Sequence, residues 1–300
     1  MSAAPRLPLG IVDMHVHTAP DVPPRLMSDL ELAREVAEAG YRAVVLKGHH
    51  TPTAARAAVA EEAVGGVRVL GGVALNTPAT GGINPSAVEA TAAMGGRVVW
   101  MPTFTSRNHL RHMSGAGRGG GLEFLGRAER PVDVVDAEGD LLPEVLAVLD
   151  VVATHDLTLA TGHLAPAEIM RLVPEAKRRG VRRVVVTHPE MDVVALPLEQ
   201  QLELADLGGV WFERVAVITR SPMDHPVADI AEAIRTVGVD TTVLATDLGQ
   251  PGNPSPVRGM EEYIAALRAC GFTTGDVEAM VCAAPAAALD LDGAGTGETR

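Results

Sequence analysis

The feature that most constrains the fold is the alternation of short apolar runs with longer amphipathic segments along the 300-residue chain. Strict alternation of strand-length and helix-length segments favours a parallel sheet covered by helices. Strands of such a sheet are buried on both faces and therefore read as apolar runs rich in Val, Leu and Ile. The predicted strands are Gly10–His15, Ala43–Lys47, Val67–Val73, Arg97–Pro102, Leu157–Thr161, Arg183–Thr187, Val210–Glu213 and Thr242–Thr246.

Helical patterns lie between these strands. Ser28–Ala39 begins at a serine with Glu31 three residues later, which is a capping box, and it stops at Gly40. A final apolar helix, Thr274–Leu289, is predicted to close one end of the fold. The other predicted helices are Thr51–Val64, Asn84–Met94, Leu141–Thr154, Pro166–Arg179, Pro197–Leu207, Asp224–Val237 and Pro256–Ala269.

Eight strands in 300 residues predict an α/β fold of the (β/α)8 TIM-barrel type, with residues 1–292 as a single domain. Alternation alone leaves a doubly wound open sheet possible, but the strand count favours the barrel. Thr103–Gly139, after the fourth strand, is too long for an ordinary connection, and its Gly-rich part, Gly115–Gly121, is predicted to be a flexible lid. The tail 293–300 is predicted to be disordered.

Composition limits the class of partner. The net charge is −13, and no cluster of Lys or Arg interrupts it, so neither a nucleic acid nor a membrane surface is expected to bind. No segment approaches the roughly 18 apolar residues of a membrane span. Cys270 and Cys282 have neither metal-site spacing nor a disulfide pattern. We therefore expect a cytoplasmic protein that acts on a small molecule, with a homo-oligomer as the expected assembly.

Polar side chains collect where the predicted strands end. His15 and His17 are two residues apart, so in an extended chain their imidazoles point to the same side and can bind one ion. Such a pair alone is weak evidence, because two histidines on a half-exposed strand can arise by chance. Other strand ends carry further potential ligands, namely His49, His50, His163, His188 and Asp247. In a barrel all of these would face one mouth, which predicts a metal site there.

With this pattern the chain resembles the amidohydrolase superfamily over essentially its whole length. The resemblance rests on the His-x-His pair of the first strand, His163, His188 and Asp247, in matching order and on matching strands. It is closest to an uncharacterised bacterial branch, through the segments DMHVHTAPDV, VVLKGHHTPT, THPEMD and ATDLGQ.

The resemblance implies roles for these residues. His15, His17 and Asp247 would hold one divalent ion, and His163 and His188 would hold a second ion or support the first site and the substrate. The metal would activate a water molecule, and Asp247 would take up its proton and pass it to the leaving group. Zinc is the expected metal, although Mn, Fe, Co or Ni would also suit His and Asp ligands.

The sequence departs from the superfamily pattern on its fourth strand. Members with two ions typically carry a bridging carboxylated lysine there, whereas this strand reads Val98-Val99-Trp100-Met101-Pro102. Lys47, at the end of the second strand, would instead be carboxylated and bridge two ions, bind a substrate anion as an ammonium, or pair with Glu213 or Asp13. His49 or His50 is an additional candidate ligand. The number of ions is therefore left open at one or two.

Substrate contacts are expected from the loops. Arg107, His109 and His112 follow the fourth strand, and an arginine there would clamp a carboxylate, unless the segment is simply a solvated basic loop. Glu213 is either an acid of the pocket or the partner of a nearby Lys or Arg. Asp21 and Arg25 are expected to form a pair that orients the metal ligands.

The sequence thus predicts a metal-dependent hydrolase of a small polar, anionic substrate, with an amide C–N bond, in a ring or not, as the favoured target. The alternatives are a phosphoester or lactone hydrolase, and a mononuclear metal-dependent decarboxylase on the same barrel. A non-catalytic metal-binding or regulatory barrel is a further class, but it would leave Asp247 without a task.

Overall fold

The computed structural model describes residues 7–115 and 130–293, and within them the chain alternates between parallel strands and helices. The strands are β1 Val12–Val16, β2 Ala43–Leu46, β3 Arg68–Leu70, β4 Gly72–Ala74, β5 Val98–Trp100, β6 Thr158–Ala160, β7 Arg183–Thr187, β8 Val210–Val215 and β9 Thr242–Ala245. The longer helices are α1 Asp29–Glu38, α2 Ala54–Val64, α4 Pro85–Ala93, α5 Arg107–Gly115, α6 Pro143–Thr154, α7 Pro166–Arg178, α8 Leu198–Ala205, α9 Val227–Val237 and α10 Pro256–Ala269. Shorter helices are α3 Thr77–Thr80, α11 Thr274–Glu278 and α12 Ala284–Ala288.

The strands form two parallel sheets in chain order, β1-β2-β3 and β4-β5-β6-β7-β8-β9. The predicted strand Val67–Val73 is therefore divided, and Gly71 is the point of division. A Cβ atom on Gly71 would lie 2.6 Å from the backbone of Thr53. The Thr53 hydroxyl also accepts a hydrogen bond from the backbone N–H of Gly72 at 2.9 Å, so a side-chain contact replaces part of the ladder.

The first and last strands adjoin. The backbone N–H of Asp247 donates to the carbonyl of His15 at 2.8 Å, and that of His17 donates to the carbonyl of Leu248 at 2.8 Å. These bonds bring the segment after β9 beside β1, which is what closure of a parallel sheet into a barrel requires.

The C-terminal helical segment packs at the amino ends of the strands. Ala284, Ala288 and Leu289 join the cluster of buried strand residues that includes Val12 and Val243. The hydroxyl of Thr158, the first residue of β6, donates to the carbonyl of Ala288 at 2.6 Å. The predicted helix Thr274–Leu289 is interrupted by a π-helical segment, Ala279–Ala283. Because the C-terminal helical segment covers the amino ends of the strands, their carboxyl ends stay open for the functional side chains.

The connection after β5 differs from the expected loop, because it contains helix α5. Ser106 caps the amino end of this helix, because its hydroxyl accepts a hydrogen bond from the backbone N–H of His109 at 3.0 Å. The proposed lid, Gly115–Gly121, lies outside the described residues except for Gly115, and so does the tail from residue 294 onwards. Within the described ranges, no helix has the length and apolar character needed to cross a membrane.

Candidate metal centre

Three side chains converge at the carboxyl ends of β1 and β9. The Nε2 atoms of His15 and His17 lie 3.1 Å and 3.0 Å from Oδ1 of Asp247. The three residues are buried, and one potential ligand atom from each lies within 4.8 Å of the others, the arrangement that a metal ion needs. Within residues 7–115 and 130–293, no other group of His, Cys, Asp and Glu meets this condition.

The other nitrogen of each imidazole fixes its orientation. Nδ1 of His15 lies 3.0 Å from Oε2 of Glu213, a residue of β8, and Nδ1 of His17 lies 2.9 Å from the backbone carbonyl of Lys47. Because an acceptor oxygen holds each Nδ1–H, each ring presents Nε2 to Asp247. This is how metal-binding histidines are commonly oriented in proteins.

The backbone next to Asp247 has little freedom. Asp247 has a φ of 51° and Gly249 a φ of 125°, and a Cβ atom on Gly249 would lie 1.8 Å from the carbonyl oxygen of His17. Only glycine fits this approach, which lets the chain after β9 pass directly over β1. The close passage places the Asp247 carboxylate opposite the two histidines.

Burial and neighbouring charge set the protonation states. Burial lowers the pKa of His17 to about 3 and that of His188 to about 4, so both imidazoles are neutral, as metal ligation requires. Burial alone would raise the pKa of Asp247, but His15 and His17 hold it well below the usual range. Burial also lowers the pKa of Lys47.

Several buried polar atoms of this region lack a hydrogen-bond partner among the described residues. They are Nζ of Lys47, Nε2 of His50, and both ring nitrogens of His188. Buried polar groups without partners are rare because each costs free energy. The neutral, unpartnered imidazole of His188 close to an ionised carboxylate fits a divalent cation, so the residues present suit the metal that the sequence predicts.

His163 and His188 stand next to this group but have different surroundings. The His188 ring centroid is 6.2 Å from that of His15 and 4.9 Å from that of His163. Nδ1 of His163 lies 2.8 Å from Nδ1 of His109, a residue of α5. His163 thus has one ring nitrogen engaged, whereas neither nitrogen of His188 has a partner in the part of the chain that the structure describes.

The remaining sequence-predicted residues separate into two groups. His49, His109 and His112 line a cavity of about 470 Å³ that also exposes His17, Lys47, His163 and Asp247. His50 and Arg107 do not line this cavity: Nδ1 of His50 lies 3.1 Å from Asp21, and Arg107 forms an ion pair with Asp133. Glu213 does not line it either, because its carboxylate faces His15.

Similarity to known proteins, in sequence and in structure, indicates the family and the fold of this chain. The sequence profile of a family of unknown function, DUF6282, matches residues 10–213. The chain belongs to this family. No curated protein matches the sequence.

Solved structures with the same fold include three bacterial proteins. An Agrobacterium tumefaciens protein in its apo form superposes with a TM-score of 0.60 at 18% identity, over 95% of this chain and 97% of that one. A Burkholderia multivorans amidohydrolase superposes with a TM-score of 0.56 at 13% identity, over 94% of this chain and 99% of that one. The 2,6-dihydroxybenzoate decarboxylase from Rhizobium superposes with a TM-score of 0.52 at 14% identity, over 95% of this chain and 100% of that one.

These likenesses support the expected α/β fold of parallel strands and helices, which this DUF6282 chain shares with the three proteins. The matched proteins include an amidohydrolase and a decarboxylase, so the same fold serves more than one reaction.

The structure also reveals site residues that the sequence did not single out. Asn76, just after β4, donates to the carbonyl of His49 at 3.0 Å and to the hydroxyl of Thr103 at 2.6 Å. Its side-chain oxygen accepts from the backbone N–H groups of Thr103 and Thr105 at 2.9 and 3.2 Å. Asn76 therefore joins the segments that follow β2, β4 and β5. The only sequence signal was a polar residue ending an apolar run.

Proposed function

We propose that this protein is a metal-dependent hydrolase of a small anionic molecule, with its site at the mouth of a closed (β/α)8 barrel. The observation that carries the proposal is the convergence of Nε2 of His15, Nε2 of His17 and Oδ1 of Asp247 at the edge of the 470 Å³ cavity. Such a cavity is within the usual size range of small-molecule sites, about 300–1,000 Å³.

His15, His17 and Asp247 would hold the ion, which we propose to be zinc. A divalent ion there would polarise a substrate carbonyl and bring the pKa of water towards neutrality. His188, whose two ring nitrogens have no partner among the described residues, is an additional ligand candidate, and His163 would support it or contact the substrate.

The chain's own contribution to proton transfer comes from Asp247. Its Oδ1 faces the two histidines, whereas no residue in the described segments donates a hydrogen bond to its Oδ2. Asp247 lines the cavity and is ionised, so Oδ2 can accept a proton from an attacking water and return it to the leaving group. Amide hydrolysis is proposed on the analogy of the fold, with phosphoesters and lactones as alternatives.

A mononuclear decarboxylase is the second candidate. One observation favours it: the described residues contain a single three-ligand group, and β5 brings no acid or lysine to the site. Lys47 lines the cavity with an unpartnered Nζ, which fits an ammonium that contacts substrate as well as it fits a bridging carbamate.

The test is elemental analysis of protein purified without chelator and supplemented with zinc or manganese, in parallel with the double variant His15→Ala/His17→Ala. We expect bound metal in the wild type and its loss in the variant. A metal-free wild type would refute the proposal. One tightly bound ion would favour the decarboxylase, and two would favour the hydrolase.

A further inference from the structure

Arg25 lies in the loop between β1 and α1 and lines the same cavity as the candidate metal ligands. Its side chain is only 6% exposed. Its Nε and Nη2 atoms both donate to Oδ2 of Asp21, at 2.8 and 2.6 Å. An arginine held along one edge of its guanidinium has a fixed direction, so Arg25 meets the cavity in a defined orientation.

The loop that carries Arg25 is anchored on both sides. The backbone N–H of Leu26 donates to the carbonyl of Gly249 at 2.8 Å, close to Asp247, and that of Ala19 donates to Met27 at 2.8 Å. Arg56, on α2, bonds the carbonyl of Thr18 at 2.9 Å. Arg25 is thereby positioned before any ligand arrives, which reduces the ordering cost of binding.

Asp21 neutralises Arg25 only in part. The Asp21 carboxylate also accepts hydrogen bonds from the backbone N–H of Val22 at 2.7 Å and from Nδ1 of His50 at 3.1 Å. No hydrogen bond within the described segments engages Nη1 of Arg25. The carboxylate is thus shared among three donor groups, and Nη1 keeps its full capacity to bind an oxygen atom.

Lys47 lines the same cavity, and its buried Nζ makes no hydrogen bond to the described residues. Burial lowers the pKa of Lys47, whereas the nearby carboxylates of Asp247 and Glu213 favour its charged form. The guanidinium of Arg25 and the Nζ of Lys47 both keep unused donors in one cavity, which favours an anionic ligand.

The donors suit a carboxylate better than a phosphate. Arg25 offers Nη1 and Lys47 offers Nζ, which together match the two oxygens of a singly charged carboxylate. The cavity is also lined by Phe104, Met113, Met191 and Met223, apolar side chains that suit an aromatic body.

We propose that Arg25, positioned by Asp21 and assisted by Lys47, selects a substrate that carries a carboxylate on an aromatic or similarly apolar body. The inference rests on the proposed function in one respect, because it takes this cavity as the substrate site. It replaces Arg107, the arginine that the sequence suggested, which is paired with Asp133 outside the cavity.

The experiment compares benzoate, benzamide and phenylphosphonate, which share a ring and differ in the polar group. Binding to the full-length protein is measured by calorimetry, both with its metal and after chelator treatment. We expect benzoate to bind more tightly than benzamide by about 10- to 100-fold, the size of a hydrogen bond to a charged group. Equal binding of the two, or tighter binding of phenylphosphonate, would overturn the inference.

Variants locate the effect. Arg25→Met should abolish the preference for benzoate, Arg25→Lys should weaken it, and Asp21→Asn should lower it by loosening Arg25. Arg182→Met is the matched control, because Arg182 is an exposed arginine paired with Asp156 on the outer surface. Retention of the preference in Arg25→Met, or its loss in Arg107→Met instead, would refute the role of Arg25.

Failure of this inference is distinguishable from failure of the proposed function. Binding of the three probes to chelator-treated protein does not depend on the metal, whereas elemental analysis does not depend on Arg25. If Arg25→Met does not fold, the wild-type comparison and Arg25→Lys still decide the outcome.

Discussion

The imidazole of His15 and the carboxylate of Glu213 are joined by a 3.0 Å hydrogen bond between Nδ1 and Oε2, with both side chains almost completely buried. His15 lies on β1 and Glu213 on β8, so the bond joins two strands that are not neighbours along the chain. Glu213 stays ionised because His15 offsets the cost of its burial and holds its pKa below the usual value. The carboxylate fixes the tautomer that presents Nε2 to Asp247.

Replacing Glu213 by glutamine should therefore weaken metal binding without removing a ligand. The amide can still accept from Nδ1 but carries no charge, so affinity should fall about 10- to 100-fold. Competition with a chromophoric chelator measures it. Glu203→Gln, an exposed residue of α8, is the control and should bind metal as the wild type does. Unchanged affinity in Glu213→Gln would show that Glu213 does not orient a ligand.

Asp247 has the most specific predicted role. Asp247→Asn keeps an oxygen that can face the ion but cannot take up a proton at neutral pH. We expect it to retain part of its metal and to lose activity by about 100- to 10,000-fold, the contribution typical of a general base. The measurement is kcat on any substrate found, together with metal content. Full activity in a metal-loaded variant would contradict the proton-transfer role.

The sequence predicted the strands and helices well because buried apolar runs alternate with amphipathic segments along the chain. Strand Arg183–Thr187 and helix Pro256–Ala269 have the bounds that the apolar pattern indicated. Polar strand ends also identified the side chains that the fold brings together, since parallel strands end at one face. No pattern in the sequence could show that Arg107 pairs with Asp133 while Arg25 lines the cavity. Which arginine lines the cavity depends on how loops that are distant in sequence pack together, and local periodicity does not encode this packing.

Two glycines of one loop provide a test of the close passage over β1. Gly249 and Gly252 both have positive φ, 125° and 90°, but only Gly249 would place a Cβ atom against another chain segment. Gly252→Ala should cost about 1 kcal/mol for the backbone conformation alone. Gly249→Ala should cost at least about 3 kcal/mol, because the clash with the His17 carbonyl adds to the strain.

Thermal unfolding followed by circular dichroism measures this difference. Metal content should fall in Gly249→Ala and not in Gly252→Ala, because displacement of the chain at Gly249 moves Asp247 away from His15 and His17. Equal melting temperatures in the two variants would contradict the steric explanation.

A buried ion pair joins strand β8 to the segment that follows β7. Arg214 is fully buried, its Nη1 contacts the carboxylate of Glu190, and its Nη2 donates to Oε1 of Gln201 at 3.1 Å. Burial lowers the pKa of Arg214 to about 10, so it remains charged at neutral pH.

Arg214→Met alone leaves the Glu190 carboxylate without its cation and should destabilise the fold by about 3–5 kcal/mol. The double variant Arg214→Met/Glu190→Gln removes both charges and should recover a large part of that loss. Urea unfolding of the wild type, both single variants and the double variant gives the coupling energy, and additive effects would show that the two side chains do not act as a pair.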